Sequence, residues 1–459
     1  MVSQVVNLLL TPLYVKYLSP ADYGVLAVLF LFSAVAKLVF RMGLDAGFFR
    51  IHYEIEQDRE RRAFTFSVAC FAALAAAGLF ALVVIASRAL ATALLGDAGG
   101  ARLVTLAAGD IFLGTFAFVP LALLRIQERS RLFAALIAGR NLLNTVLKVA
   151  LVVRGGGIAG VLWSDLIATG ALSLALLPIL VGNASPSFRA VRLLEALRFG
   201  LPKAPHGLML QLLNLADRRI LAGFTDLATV GVYDKGYVLG AGVKFALSAF
   251  EPAWQPFVYG QIGKPDAPQG LARIATYAWA GFVSLGLLVA VFGRELLVAL
   301  TFTNPAFWAG APVVPVVALA YLLHGAFLLT SIGIGISKDT RYYPMITAAA
   351  ALTNIVANVA LIPRLGMLGA AWATVLAYAV MASFGFVLSR RLYPIPFEGG
   401  RLLKLTGAAL ATYALSCVSP APLAAAIPFK LAALVVFPLA LLASGFLTDA
   451  EKLFLRRRG

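Results

Sequence analysis

The sequence predicts an all-α integral membrane protein of about fourteen transmembrane helices, built as two parallel six-helix repeats followed by an extra C-terminal helix pair. Three observations predict it. Of 459 residues, 61% are hydrophobic and 13% charged, with a mean hydropathy of +0.90; ordinary soluble domains carry roughly 25% charged residues. No soluble fold hides so much apolar surface, and a chain this apolar has no reason to stay disordered. Apolar stretches of membrane-spanning length recur from end to end. Finally, one polar-studded segment reappears 210 residues later.

The expected spans run 2–18, 21–40, 63–87, 103–124, 132–153, 157–182, 200–223, 228–250, 274–298, 311–334, 344–363, 366–389, 402–418 and 422–446. Short polar segments separate them, and the sign of those segments orients the chain. One side collects Arg41 to Arg62, Arg125 to Arg131, Arg189 to Lys203, Lys264 and Arg273, Lys338 and Arg341, Arg390 to Lys404, and Lys452 to Arg458, in all 24 Lys and Arg. The other holds six: Lys16, Arg88, Arg102, Arg154, Arg294 and Arg364. By the positive-inside rule both termini are expected in the cytoplasm.

This asymmetry also accounts for the net charge of +17. No basic run is interleaved with exposed aromatics, so nucleic acid is not an expected partner. Cys70 and Cys417 lie in apolar stretches and read as small core residues, without a disulfide framework. No cleavable signal peptide, metal-ligand cluster or cofactor motif stands out. No segment outside the membrane exceeds about twenty residues, which leaves no room for a soluble catalytic domain.

The repeat is explicit. Asn144–Gly156 reads NTVLKVALVVRGG and Asn354–Gly366 reads NIVANVALIPRLG, with seven of thirteen positions identical. One residue of slip then places Gly160 and Trp163 on Gly369 and Trp372, and Asp22-Tyr23-Gly24-Val25 echoes Thr229-Val230-Gly231-Val232-Tyr233. An even number of spans per repeat keeps both halves in one orientation, a plan that suits a transporter with a midplane site. The expected division is an N-terminal lobe over 1–182, a cytoplasmic linker over 183–199, a C-terminal lobe over 200–389, and the extra pair with a basic tail over 390–459. Against its counterpart the first span is short by eight or nine residues, which predicts a native start upstream of Met1.

With these residues in view, the chain resembles the O-antigen-type polysaccharide flippases of the multidrug/oligosaccharidyl-lipid/polysaccharide superfamily. The carrying residues are Tyr17-Leu18-Ser19-Pro20-Ala21-Asp22-Tyr23-Gly24, Gly43-Leu44 and Phe49-Arg50. In the second half they are Phe199-Gly200-Leu201-Pro202, Asp217-Arg218 and Val230-Gly231-Val232-Tyr233. The resemblance implies transfer of a polyprenyl-pyrophosphate-linked oligosaccharide across a bacterial cytoplasmic membrane by alternating access, with no cofactor. It further implies contact with membrane lipids, glycan polymerase and glycosyltransferases, and H⁺ or Na⁺ as a coupling ion.

Ionisable residues at membrane depth are costly and mark candidate functional positions. In the fifth span Arg140, Asn144 and Lys148 fall at i, i+4 and i+8 on one face, spanning about 12 Å. The eleventh span repeats this ladder without charge, as Asn354 and Asn358. Lys37, Arg41, Arg218 and Lys244 complete the candidates for a cationic cavity between the halves that receives pyrophosphate and sugar. Lys37, Arg41, Arg218, Arg219 and Lys235 lie near span ends, where snorkelling to water is the alternative; Asp217 and Arg218 also suit a structural pair. Asp110 and Asp165 are candidates for ion coupling, or for neutralising a neighbouring Arg or Lys. Pro202 and Pro205 beside His206 suggest a broken seventh span, and His206 and His324 read as interior residues. His52 is expected in a loop, within an amphipathic interfacial segment from Phe48 to Arg62.

Two rivals belong to the same superfamily: a multidrug exporter, disfavoured because the first span has no acidic residue, and a lipid II flippase, whose chemistry is close. A membrane-embedded polymerase or acyltransferase would need a catalytic constellation that the sequence does not display.

Overall fold

The computed structural model describes residues 9–261, 264–337, 339, 341–420 and 423–446, leaving out the side chains of Lys203, His206, Gln255, Leu423 and Ala424. The regular elements among the described residues are all helical, and the chain forms two compact units divided after Gly231. The first unit comprises α1 (Thr11–Tyr17), α2 (Pro20–Arg41), α3 (Leu44–Glu54), α4 (Asp58–Ile85), α5 (Ser87–Leu95), α6 (Ala101–Ile126), α7 (Ser130–Val153), α8 (Gly157–Gly182), α9 (Ala190–Gly200), α10 (Ala204–Phe224) and the first turn of α11 (Leu227–Gly240). The second continues through α11 into α12 (Val243–Tyr259), α13 (Ala267–Val291), α14 (Gly293–Leu300), α15 (Val313–Thr330), α16 (Ile332–Ile336), α17 (Tyr342–Leu365), α18 (Met367–Leu392), α19 (Gly399–Ser416) and α20 (Leu423–Ala443).

Among the described residues, ten helical segments are long and apolar enough to cross a membrane. The other four expected spans have individual explanations. The first begins in residues outside the described set. The seventh is α10, whose Asp217, Arg218 and Arg219 lower its hydropathy. The eighth breaks at Ala241-Gly242 into α11 and α12, and the thirteenth is α19, which carries Arg401 and Lys404. The proline-rich entry to the seventh span does interrupt the helix: α9 stops at Gly200, a 3₁₀ turn covers Leu201–Lys203, and α10 starts at Ala204.

Several residues of the family-like motifs turn out to build a helix start and a helix crossing. Ser19 caps α2: its Oγ accepts the Asp22 N–H at 3.2 Å while the Asp22 carboxylate accepts the Ser19 N–H at 2.8 Å, with Pro20 at the first helical position. The corresponding start of α11 is capped by Asp226, whose Oδ1 accepts the Thr229 N–H at 2.6 Å. Just beyond the caps, Gly24 and Gly231 bring backbone against backbone. A Cβ at Gly24 would sit 1.7 Å from the Leu227 carbonyl oxygen, and one at Gly231 would sit 1.8 Å from that of Pro20. Only a residue without a side chain fits either position.

One loop expectation is corrected. The segment 48–62 is not a loop: 48–54 complete α3 and 58–62 open α4, and His52 on α3 is buried, with its ring 5.4 Å from that of Phe48. The apolar face of α3 packs inside the protein, with Leu44, Phe48 and Ile51 joining Phe64, Val68, Phe118 and Leu193 in one core cluster. The 3.6-residue spacing of those apolar positions forms a buried stripe, which an exposed loop has no use for. In the second unit, Val283, Leu287 and Val291 of α13 pack with Leu405 of α19 and Phe437 of α20, so the extra helix pair is anchored by its own core.

Candidate functional site: a charge-balanced polar cluster on α6, α7 and α8

Helices α7 and α8 are antiparallel neighbours joined by the Arg154–Gly156 turn, in which Gly155 takes φ +84°. Residues equally distant from such a turn face one another. Arg140 of α7 accordingly donates to Thr169 Oγ1 of α8 at 3.0 Å, and Asn144 Nδ2 donates to the Asp165 carboxylate. One turn along α7, Lys148 Nζ lies 3.7 Å from Asp165 Oδ1. Packed against α8, α6 contributes Asp110, which accepts the Thr169 hydroxyl and lies 4.0 Å from Arg140.

The predicted ladder therefore exists, but it is electrically balanced. Two cations on α7 meet two carboxylates, one from α6 and one from α8. All four side chains are between 15% and 27% exposed, so none is fully buried within the protein. The pairs are long: 3.7 and 4.0 Å exceed a direct charge-assisted hydrogen bond of about 2.7–2.9 Å. Thr169 and Asn144 bridge the charges instead, and donors on the Arg140 fork stay uncommitted to Asp110. Tyr14 of α1 lies within electrostatic range of Asp165, with its hydroxyl buried and without a hydrogen-bond partner among the described residues.

The repeat-related helices of the second unit carry the uncharged version. Asn354 and Asn358 on α17 are fully buried, and Asn358 Nδ2 donates to Asn354 Oδ1 at 2.9 Å and to the Asn354 carbonyl at 2.8 Å. Asn354 Nδ2 and Asn358 Oδ1 have no partner among the described residues.

Of the other predicted residues in the first unit, Lys37, Arg41 and Arg218 do not join this cluster. Lys37 is exposed on α2, and Arg41 pairs with Asp45 at 3.2 Å on a surface turn. Arg218 is buried against Asp217 at 2.8 Å and donates to the Asn214 carbonyl at 2.9 Å. Lys244 is exposed in the second unit, 6.0 Å from the centre of the Tyr321 ring. His324 there stacks on Tyr378 at 5.0 Å. Of His206 nothing is described beyond its place in α10.

Two polar features escaped sequence reasoning. Thr169 is one; a threonine four residues after Asp165, facing a ladder across a tight turn, was a readable signal. The other is Lys430 of α20, which pairs with Glu295 of α14 at 2.8 Å through both carboxylate oxygens, each side chain 9% exposed. Nothing local in the sequence marks these two as partners 135 residues apart.

A bundle of apolar helices with a balanced, half-buried polar cluster defines a multi-pass membrane protein with a transporter fold. The chain belongs to the polysaccharide biosynthesis protein family, whose model matches residues 15–250. Among solved structures, the lipid II flippase MurJ in an inward closed conformation superposes with a TM-score of 0.78 at 13% identity, over 95% of this chain and 96% of that one. A multidrug resistance MATE family transporter of the MOP superfamily, inward-facing, gives 0.64 at 17% identity over 85% and 94%. A MOP superfamily transporter from Pyrococcus furiosus, described as having a binding pocket of reversed polarity, gives 0.58 at 16% over 85% and 92%. These likenesses establish the fold. No curated protein sequence matches the chain.

Proposed function

We propose that the chain is a flippase that carries a polyprenyl-pyrophosphate-linked oligosaccharide from the inner to the outer leaflet of a bacterial cytoplasmic membrane by alternating access, making and breaking no covalent bond. The termini face the cytoplasm, where glycan-assembling enzymes supply the substrate. The observation that carries this reading is the loose pairing of Arg140 and Lys148, 4.0 and 3.7 Å from their carboxylates in a family member built for polysaccharide biosynthesis. A pyrophosphate is a stronger, multidentate acceptor than either carboxylate and would take over both cations. Asp110 and Asp165, once released, would be the groups to hold a coupling H⁺ or Na⁺, linking ion binding to substrate binding. Within the first unit Lys37, Arg41 and Arg218 stand outside this cluster, and the proposal rests on α6, α7 and α8.

The test is translocation of a fluorescent polyprenyl-pyrophosphate glycan in vesicles containing the purified chain. Replacing Arg140 and Lys148 together by Gln should abolish transfer when equal amounts of folded protein are compared, even though stranding Asp110 and Asp165 lowers the melting temperature. Transfer at the unmodified rate would remove the cluster from the mechanism. Drug export, the second reading, is supported by the MATE-like fold. Accumulation of a cationic dye that survives R140Q/K148Q would favour it.

A further inference from the structure

We propose that a groove in the second unit binds the headgroup of one acidic phospholipid, with Arg390 as the partner of its phosphate. The groove, ≈ 540 Å³, lies between the first turn of α13, the last two turns of α18 and the segment 394–397 that leads towards α19. That volume is within the roughly 300–1,000 Å³ of small-ligand sites. Arg390 and Gln269 supply the polar side chains, and the rest of the lining is apolar: Phe386, Ile395, Phe397 and three prolines.

Helix length sets the level of this groove in the bilayer. Both α13 and α18 are long and apolar enough to span, and the groove sits at the N-terminal end of one and the C-terminal end of the other. The 26 residues of α18 rise about 39 Å, against a hydrocarbon core of about 30 Å. Its last turns therefore reach the headgroups. Pro394 and Pro396 follow the helix end, and the linker folds back on α18: the Phe397 N–H donates to the Ile395 carbonyl at 2.9 Å, and the Phe397 ring lies 6.2 Å from that of Phe386. Trp372, Leu376 and Phe386 share one exposed face of α18 with Arg390. An apolar track suited to acyl chains thus runs away from the guanidinium.

Charge selects the headgroup. Arg390 and Gln269 are exposed, and their side chains make no hydrogen bond or ion pair among the described residues. No Asp or Glu among those residues lines the groove. Of the nearby acids, Glu398 is held by Arg401 at 3.0 Å, and Asp266 precedes α13. Arg273, four residues beyond Gln269, and Arg391 add exposed positive charge at this end of the unit. An organic cation would meet a guanidinium and no carboxylate. A free hydrated anion gains nothing from the apolar walls, and a zwitterionic headgroup brings its own ammonium to Arg390. An acidic phospholipid matches both parts, its phosphate accepting from the guanidinium and its chains lying on α18. This assignment is independent of the flippase function proposed above.

Native mass spectrometry of the full chain in detergent, titrated separately with dioleoyl-phosphatidylglycerol and dioleoyl-phosphatidylcholine, tests the assignment. The first phosphatidylglycerol should bind about tenfold more tightly than phosphatidylcholine. Arg390→Gln, at an exposed position that anchors nothing, should remove that preference, and Arg390→Lys should keep part of it. Arg364→Gln removes the same charge from an exposed site at the end of α17, beside the opposite end of α18, and should leave the preference intact. Equal binding of the two lipids overturns the proposal, as does a preference unchanged in Arg390→Gln. An equal loss in Arg364→Gln would overturn it in favour of a net-charge effect. Displacement of phosphatidylglycerol by millimolar inorganic phosphate would overturn it in favour of a free-anion site. A chain that binds the lipid but fails to translocate glycan would sink the flippase reading alone.

Discussion

The two halves of the duplication treat the same helical face in opposite ways. In the first unit Asn144 is flanked by Arg140 and Lys148, and both cations are matched by carboxylates from α6 and α8. In the second, Asn354 keeps its place, but position 358 is Asn where the repeat has Lys148. Continuing the alignment through Trp163 and Trp372, Thr374 stands where the repeat has Asp165. Burial follows charge. The amides of α17 are fully buried, whereas every ionised group of the first cluster keeps some exposure. An amide pair tolerates a dry interior with one hydrogen bond made, but an ion pair pays several kcal/mol per ion for complete desolvation. The first unit thus holds groups that can exchange partners, and the second holds a fixed polar scaffold.

The comparison can be broken most sharply by moving charge across it. Placing the first unit's pattern in the second, as Asn358→Lys alone, buries an unmatched ammonium; the expected result is loss of folded protein or a destabilisation of about 3–5 kcal/mol, read as melting temperature in detergent. Adding Thr374→Asp should recover a substantial part. In the reverse direction, Lys148→Asn strands Asp165 and should cost about 2–3 kcal/mol, while Lys148→Asn with Asp165→Thr should cost less than either single change. Such a cycle measures the coupling directly. If the two single effects simply add, Lys148 and Asp165 are not a pair in the membrane. The doubly neutral variant should still fail to translocate, since it has lost the cation that the proposed function assigns to pyrophosphate.

A second contrast concerns geometry and not charge. The crossing formed by Gly24 and Gly231 leaves no volume for a methyl group, with carbonyl oxygens 1.7 and 1.8 Å from an added Cβ. Gly24→Ala should therefore destabilise the first unit by about 2–4 kcal/mol, at the high end for a surface-free substitution. Gly78 on α4, where an added Cβ meets nothing within 4 Å, is the matched control. Its change to Ala should be neutral or slightly stabilising, by roughly 0.5–1 kcal/mol. Equal melting temperatures for the two variants would refute the close crossing.

How much of this was legible beforehand varied with the range of the interactions. Span positions, the duplication and the α7 ladder are local patterns of period 3.6 or of fixed offset, and the sequence displays them. The neutrality of the ladder depends on which carboxylates face it. For Asp165 the hairpin arithmetic about Gly155 could have supplied that; for Asp110, on a helix reached only through tertiary packing, it could not. Lys430 and Glu295 form the extreme case, since their pairing records how α20 docks beside α14. Helix α3 misled for another reason. Its mixed acidic and basic residues read as part of an amphipathic interfacial loop, but Leu44, Phe48 and Ile51 form a stripe that the interior takes up. The family motifs were legible as signatures well before their purpose was, because a cap and a glycine crossing become visible only when the helices are in place.

The smallest expected effect compares the two caps. Ser19 begins α2 with a hydroxyl that does not titrate near neutral pH, while Asp226 begins α11 with a carboxylate that accepts the Thr229 N–H. Hydrogen bonds from Thr229 hold the Asp226 carboxyl below the ordinary carboxylate range. A group whose pKa falls on folding adds stability that is complete above its unfolded pKa of about 3.9 and disappears as pH drops through the lower folded value. The contribution of this cap is accordingly constant from neutral pH down to about pH 4–5 and is lost only under stronger acid. Asp226→Ala should lower stability by about 0.5–1 kcal/mol at pH 7, and Asp226→Asn by less, since an amide oxygen still accepts the Thr229 proton. The difference between Asp226→Ala and the parent chain, measured by thermal melts at pH 7 and pH 3, should shrink at the lower pH. For Ser19→Ala the loss of the hydroxyl acceptor removes one half of the capping box at either pH. A penalty at Asp226 that grows in acid would mean that the carboxylate is destabilised by its surroundings, not held by the helix start.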